Sequence, residues 1–134
     1  MRLNVSALVG FASLMVLVGC AETSVQPMSK DTFKVQTHAA PACGPTGARN
    51  LAFKAAAIEV IRKGGDKFII ANDSSGSGLQ GDFFSGFNQN FNQGMVVRLI
   101  PEGSREASNA LSAREVLGAN WQEIVSKGVP NTCG

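Results

Sequence analysis

The chain has 134 residues, 12 of them basic and 10 acidic, and a formal net charge of +2. The 115 residues that follow position 19 suffice for one domain with a core and are too few for two. They carry 11 basic against 10 acidic groups, and this balance excludes a nucleic-acid or anionic-lipid surface that depends on excess positive charge.

The first twenty residues have the pattern of an export signal. Arg2 precedes an apolar run over positions 7–18, and the run ends at Gly19 and Cys20. A charged start, a short apolar segment and a small residue at the cut are typical of a removed secretory segment. The run is shorter than the roughly 20 apolar residues of a membrane span.

The sequence Leu17-Val18-Gly19-Cys20 resembles the lipobox of bacterial lipoproteins. The resemblance implies that residues 1–19 are removed and that Cys20 carries a diacylglycerol, so that the protein is held on a membrane by its lipid anchor. An ordinary signal peptide with a chance cysteine, or a signal anchor, would be the alternatives. By analogy with enterobacterial sorting, Ala21 in place of aspartate after the cysteine favours the outer membrane, facing the periplasm.

The segment after the cysteine predicts a lipidated tether over residues 20–31, because it is polar, contains Pro27 and has no hydrophobic period. Its eleven flexible residues after Cys20 would span roughly 18 Å.

A single periplasmic domain is predicted over residues 32–134. Apolar and polar residues alternate over 32–38, which indicates a half-buried strand. Helical spacing of apolar residues over 48–63, followed by two glycines, predicts a helix. The apolar runs 67–71 and 95–100 predict two further strands.

The last predicted element is a helix that begins at Ser112 and ends near Gly128. Glu115 lies three residues after Ser112, as in a capping box. The order strand-helix-strand-strand-helix predicts a parallel crossover followed by an antiparallel return. The expected fold is a small two-layer α+β domain, with a mixed three-stranded sheet and two helices on one face.

The cysteines other than Cys20 are Cys43 and Cys133, and we expect them to form a disulfide because an exported protein meets an oxidising compartment. A redox pair or metal thiolates are the alternatives. The chain has no Cys-x-x-Cys motif, and His38 is its only histidine, so we predict no metal site and no cofactor.

The segment 72–94 is predicted as a long loop whose second half carries four phenylalanines among Gly, Asn and Gln: Phe83, Phe84, Phe87 and Phe91. One interpretation is an exposed contact patch for a partner or for the lipid interface. The other, which we favour, is an extended hairpin whose rings cover the core or an open sheet edge.

The sequence predicts no enzymatic activity. The acidic residues are scattered, with no pair whose spacing commits two carboxylates to one site. The glycines at positions 76, 78 and 81 lack the lysine and the helix start of a phosphate-binding loop.

The lipobox, the helix 48–63 with its two glycines, and the strand beginning Lys67-Phe68 are together similar to short proteobacterial lipoproteins whose role is uncharacterised. The likeness covers about residues 32–125, including the sequence from Ala113 to Leu117. In layout the chain also resembles the stress-sensing outer-membrane lipoprotein of the Rcs phosphorelay.

These resemblances imply a non-enzymatic envelope lipoprotein that acts through protein contacts in envelope maintenance or stress sensing. The alternative is a ligand-binding module that uses segment 72–94 and the sheet face. A cell-wall hydrolase ranks third.

Overall fold

The computed structural model describes residues 20–82 and 86–133. These residues contain an open antiparallel sheet of five strands, together with three α-helices. The strands are β1 Ala21–Pro27, β2 Thr32–Ala39, β3 Lys67–Asp82, β4 Gly86–Leu99 and β5 Leu111–Ser112. The helices are α1 Gly44–Arg62, α2 Ala113–Leu117 and α3 Trp121–Lys127. In space the strands follow the order β1-β2-β4-β3-β5.

The core lies between the sheet and α1. The alternation in β2 directs Phe33, Val35 and Thr37 into the core and leaves Lys34, Gln36 and His38 on the open face. The residues that α1 contributes to the core are mostly alanines, whose small side chains let the helix approach the sheet closely. Buried residues of the core cluster include Ala52, Ala55, Ala56, Val60, Phe68, Met95 and Val97.

The α+β class is confirmed, but the predicted three-stranded mixed sheet is wrong. Both β2 and β3 pair antiparallel with β4, so β2 and β3 run in the same direction, as a crossover through α1 requires. The strand β4 lies between them, however, and no parallel pair forms among the described strands. The long β3–β4 hairpin explains this order, because its second strand enters beside β2.

The predicted tether is also wrong, since residues 21–27 form the edge strand β1. It pairs with β2 along its whole length, from Ala21 opposite Ala39 to Pro27 opposite Phe33. The hydroxyls of Thr23 and Thr37 are hydrogen-bonded at 2.9 Å, which pairs the buried Thr37. Pro27 is tolerated because it ends an edge strand, where one side of the ladder is empty.

The C-terminal region contains two short helices instead of the single predicted one. Ser112 caps α2 as expected, and its hydroxyl accepts a hydrogen bond from the Glu115 N–H at 3.4 Å. Gly118 then has φ +89°, a conformation that favours glycine and ends α2. The chain resumes as α3 at Trp121.

Asp66 joins the start of β3 to the start of α2. Its buried carboxylate accepts hydrogen bonds from the Ser112 hydroxyl at 2.8 Å and from the Arg114 N–H at 3.0 Å. Burial by itself raises the pKa of Asp66, but the two hydrogen bonds and the nearby Arg114 and Lys67 charges outweigh it, so the pKa lies below its ordinary value of 3.8.

We therefore expect Asp66→Asn to destabilise the fold by about 1–3 kcal/mol at neutral pH, because a neutral amide lacks the charge that strengthens both hydrogen bonds and attracts Arg114 and Lys67. A carboxyl group whose pKa is lowered in the folded state stabilises the fold at pH values above its ordinary pKa. That stabilisation is lost as the pH falls through the folded-state pKa. Urea titrations should therefore show that the difference in unfolding free energy between wild type and Asp66→Asn decreases below pH 3.8. A constant gap at all pH values would contradict this role.

Candidate functional site

Cys20 occupies a fixed corner of the sheet. Its thiol is exposed and outside the disulfide. Its carbonyl accepts a hydrogen bond from the Ala40 N–H at 2.9 Å, and Cys20 also bridges to Thr132 in antiparallel fashion. The next residue, Ala21, donates its N–H to the Asn131 carbonyl at 2.8 Å. The backbone that carries the thiol is thus paired with neighbouring segments on both sides, at Ala40 and at Thr132.

A disulfide between Cys43 and Cys133 lies near the same corner. Cys43 directly precedes α1, and Cys133 follows the residue that bridges to Cys20. Gly47 allows the first turn of α1 to pack on the bridge, because a Cβ there would lie 3.2 Å from the Cys43 Cβ and 3.5 Å from the Cys133 Cβ. The bridge therefore holds the start of α1 and the C-terminal segment at the Cys20 end of the sheet.

An open groove of about 540 Å³ surrounds the Cys20 corner. It is lined by Cys20, Ala21, Glu22, His38, Ala39, Ala40 and Asn92. The exposed His38 lies opposite Glu22 in the β1–β2 register, and its Nδ1 is 2.6 Å from Asn92 Oδ1, where the ring N–H donates to the amide oxygen. The groove is thus polar on one wall and has the exposed thiol at its edge.

The open face of the sheet forms another trough, of about 260 Å³. All its lining residues are polar or glycine: Lys34, Gln36, Thr37, His38, Ser74, Ser75, Gly76, Asn92, Gln93 and Gly94. This face lies opposite the helix-covered face and remains open to solvent.

A polar cluster at the end of the core was missed by the sequence analysis. Asp73 forms an ion pair with Arg49 and accepts a hydrogen bond from the side-chain amide of Gln93, which is buried. A bulge at Ala71 shifts the β3 register, so that Asp73 pairs with Met95 on the helix-covered face. No local feature of the sequence indicates the bulge, and without the bulge the alternation along β3 would place Asp73 on the face away from Arg49.

The segment predicted as a long loop forms an extended hairpin over its described residues, 72–82 and 86–94. The β3–β4 ladder continues beyond the last β2 pair, Ala39 with Phe91, through five more pairs from Gly78–Asn90 to Asp82–Gly86. We call residues 77–82 and 86–90 the hairpin arm. Neither β2 nor β5, which pairs only with Lys67 and Phe68, extends along it.

The four phenylalanines of the predicted contact patch do not all lie within the described chain. Phe83 and Phe84 lie outside the described residues. Phe87 belongs to β4, opposite Gly81, and Phe91 is half-buried at the base of the hairpin arm. The structure therefore gives the hairpin and leaves the exposure of most of these rings untested.

Two further properties concern only residues 20–82 and 86–133. No group of three or more His, Cys, Asp and Glu side chains is arranged there to hold a metal ion. No helix in this part of the chain combines the length and the apolarity needed to cross a bilayer.

Comparisons with protein-family models, curated proteins and solved structures find no match to this chain. The likeness to short proteobacterial lipoproteins therefore remains a prediction, and a functional assignment depends on the residues themselves.

Proposed function

We propose that the chain is a lipoprotein of the bacterial envelope, processed after Gly19 and acylated on Cys20, on the periplasmic face of the outer membrane. The observation that carries the proposal is the sequence Leu17-Val18-Gly19-Cys20 after a short apolar segment. The exposure of Cys20 supports it, because a modifying enzyme and a lipid both need access to the sulfur.

The surroundings of Cys20 also suit an attached lipid. The disulfide uses the other two cysteines and leaves Cys20 available for a thioether. The groove of about 540 Å³ at its edge offers room for the glycerol that would link the acyl chains.

The direct test is mass spectrometry of the mature protein extracted from membranes. The N-terminal peptide should begin at Cys20 and carry the mass of a diacylglycerol, with or without a third acyl chain on the amine. A mature chain that begins elsewhere, or an unmodified Cys20 thiol, would contradict the proposal.

We further propose that the domain acts through contacts with another envelope protein and not by catalysis. The open face of the sheet supports this role, because it is polar and no described element covers it, whereas the helix-covered face is filled by the core. The described hydrogen bond of the only histidine goes to Asn92, an amide that cannot act as a base toward the ring.

Site-specific photocrosslinking tests the contact role. A photoreactive residue in place of the exposed Ser74, on the open face, is expected to form a discrete crosslinked product in intact cells. The matched control is Asn50, which is also exposed but lies on α1. Equal products from both positions, or none from Ser74, would contradict a contact through the open face.

A ligand-binding module remains the second candidate, supported by the trough of about 260 Å³ along the open face. A small polar molecule would be held there by side chains such as Gln36 and Asn92. Native mass spectrometry of the protein released from membranes separates the two candidates. A stoichiometric bound molecule that is lost in Gln36→Ala would favour the ligand-binding role.

A further inference from the structure

The hairpin arm extends past the Cys20 end of the sheet. Ala21 is level with Ala39, and Ala39 is level with Phe91, so Cys20 is about level with Asn90. From Asn90 to Gly86 the ladder continues for four residues, or about 13 Å at 3.3 Å per residue. The arm therefore projects beyond the proposed attachment point of the lipid, on the same side.

The arm is poor in charge. From Gly76 to Gln93 the only charged residue is Asp82. Charged residues instead concentrate at the opposite end of the sheet, around the β1–β2 turn, the end of α1 and the loop after β4: Lys30, Asp31, Arg62, Lys63, Asp66, Lys67, Arg98, Glu102, Arg105 and Glu106. Entry into an interface therefore costs less charge desolvation for the arm than for the opposite end of the sheet.

The arm also has two unlike faces. By the strand register, the large apolar residues Leu79 and Phe87 occupy positions on the same face of the ribbon as Phe91, together with Ser77, Gly81 and Gln89. The other face holds the positions of Gln80, Asp82, Asn88 and Asn90. A ribbon whose large apolar residues all occupy positions on one face is suited to lie along a lipid–water interface.

We propose that the hairpin arm is a second membrane contact, which lies in the interfacial layer of the bilayer that holds the lipid on Cys20. This inference rests on the proposed lipid anchor. The outer edges of the arm have backbone groups without a described strand partner, and such groups are unfavourable in hydrocarbon, so the arm rests in the interface and does not span the bilayer.

The arm would orient the domain more than retain it, because the acyl chains on Cys20 already hold the protein on the membrane. Two attachment points fix the sheet relative to the membrane, with the charged end away from it and the open face accessible from the side. Because the arm has no basic residues, its contact should depend on neither anionic lipid nor salt.

Depth-dependent fluorescence quenching tests the proposal on the lipidated protein in vesicles of phosphatidylethanolamine and phosphatidylglycerol. Trp121→Phe removes the only tryptophan, and Phe87→Trp then introduces one in the arm. The matched control is Met28→Trp, at the β1–β2 turn, where the native side chain is 60% exposed. The proposal expects brominated acyl chains to remove most of the emission of the Phe87→Trp variant and little of that of Met28→Trp.

Leu79→Trp provides a second arm position should Phe87→Trp fail to fold. Quenching that is absent at both arm positions, or equal at the arm and at position 28, would overturn the second contact. Quenching that disappears without phosphatidylglycerol or in high salt would also overturn it. The mass of the Cys20 peptide in the same sample separates the two hypotheses: missing lipid overturns both, whereas lipid without quenching at the arm overturns only this inference.

Discussion

Cys20→Ser is expected to abolish acylation and to release the protein from the membrane. A serine hydroxyl does not form the thioether that the modifying enzyme makes with a thiol. Each buried CH₂ of an acyl chain contributes about 0.8 kcal/mol, so loss of two or three chains removes nearly all affinity for the bilayer. Metabolic labelling with a fatty-acid analogue, followed by membrane fractionation, measures both effects.

The fold should survive this change, because the Cys20 side chain is exposed and lies outside the disulfide. The matched control is the double variant Cys43→Ser/Cys133→Ser, which also replaces cysteines but should keep the label. Label that persists on Cys20→Ser would contradict the lipid anchor. An intact disulfide in the variant excludes misfolding as the cause of release.

Elements with local signals were predicted well from the sequence. The apolar spacing and the alanines of α1, with its two terminal glycines, define a helix without reference to the rest of the chain. Ser112 followed by Glu115 marks the start of α2 in the same local way, and the structure has that cap. Such signals depend on residues within one or two turns, so they remain valid in any tertiary context.

Elements that depend on a distant partner were not predictable. The strand β1 has a polar sequence, and it becomes a strand because β2 offers an edge and Thr37 a buried hydroxyl for Thr23. The glycine- and asparagine-rich part of the β3–β4 hairpin has low strand propensity, and its base is held by pairing with β2. The bulge at Ala71 decides which residues face α1, and a bulge leaves no local trace in composition.

One missed signal was local. Gly118 followed by Asn120 is a common end and restart of a helix, because glycine adopts the left-handed conformation and asparagine favours a helix start. The apolar stripe through Leu117 and Trp121 continues across this break, so apolar spacing alone predicts one helix.

Residues 21–27 form β1 and not the expected tether, and this changes how the proposed lipid anchor would hold the domain. A flexible tether would let the domain rotate freely above the membrane, whereas Cys20 is hydrogen-bonded into the sheet through Ala40 and bridged to Thr132. Under the proposed anchor, the lipid attaches directly to the fold. The position of Cys20 in the sheet therefore determines which end of the domain meets the membrane.

Reduction of the Cys43–Cys133 disulfide is expected to cause the largest loss of stability. The bridge joins residues separated by 90 positions, and the chain-entropy estimate for a loop of this length is about 4–5 kcal/mol. Since domains of this size are stable by about 5–15 kcal/mol, the reduced protein should be marginal. With a urea m-value of about 1–3 kcal/mol/M, we expect the midpoint to fall by roughly 1–5 M.

The variant Cys43→Ala/Cys133→Ala is the control, because it should match the reduced wild type and should not respond to reductant. Thiol counting on denatured, unreduced protein from the periplasm should find neither cysteine free. Two free thiols, or a urea midpoint that is insensitive to reductant, would contradict the prediction.

The structure also indicates where the loss of ordered structure should begin after reduction of the disulfide. Asn131 and Thr132 lie directly before Cys133, and they hold the outer edge of β1 by pairing with Ala21 and Cys20. Without the bridge this C-terminal segment loses its covalent attachment to α1, so the Ala21 amide should lose hydrogen-exchange protection before the amides of the central strand β4 do. Simultaneous loss at both places would indicate global unfolding alone. Selective loss at Ala21 would show that the disulfide holds together the corner of the sheet that contains Cys20.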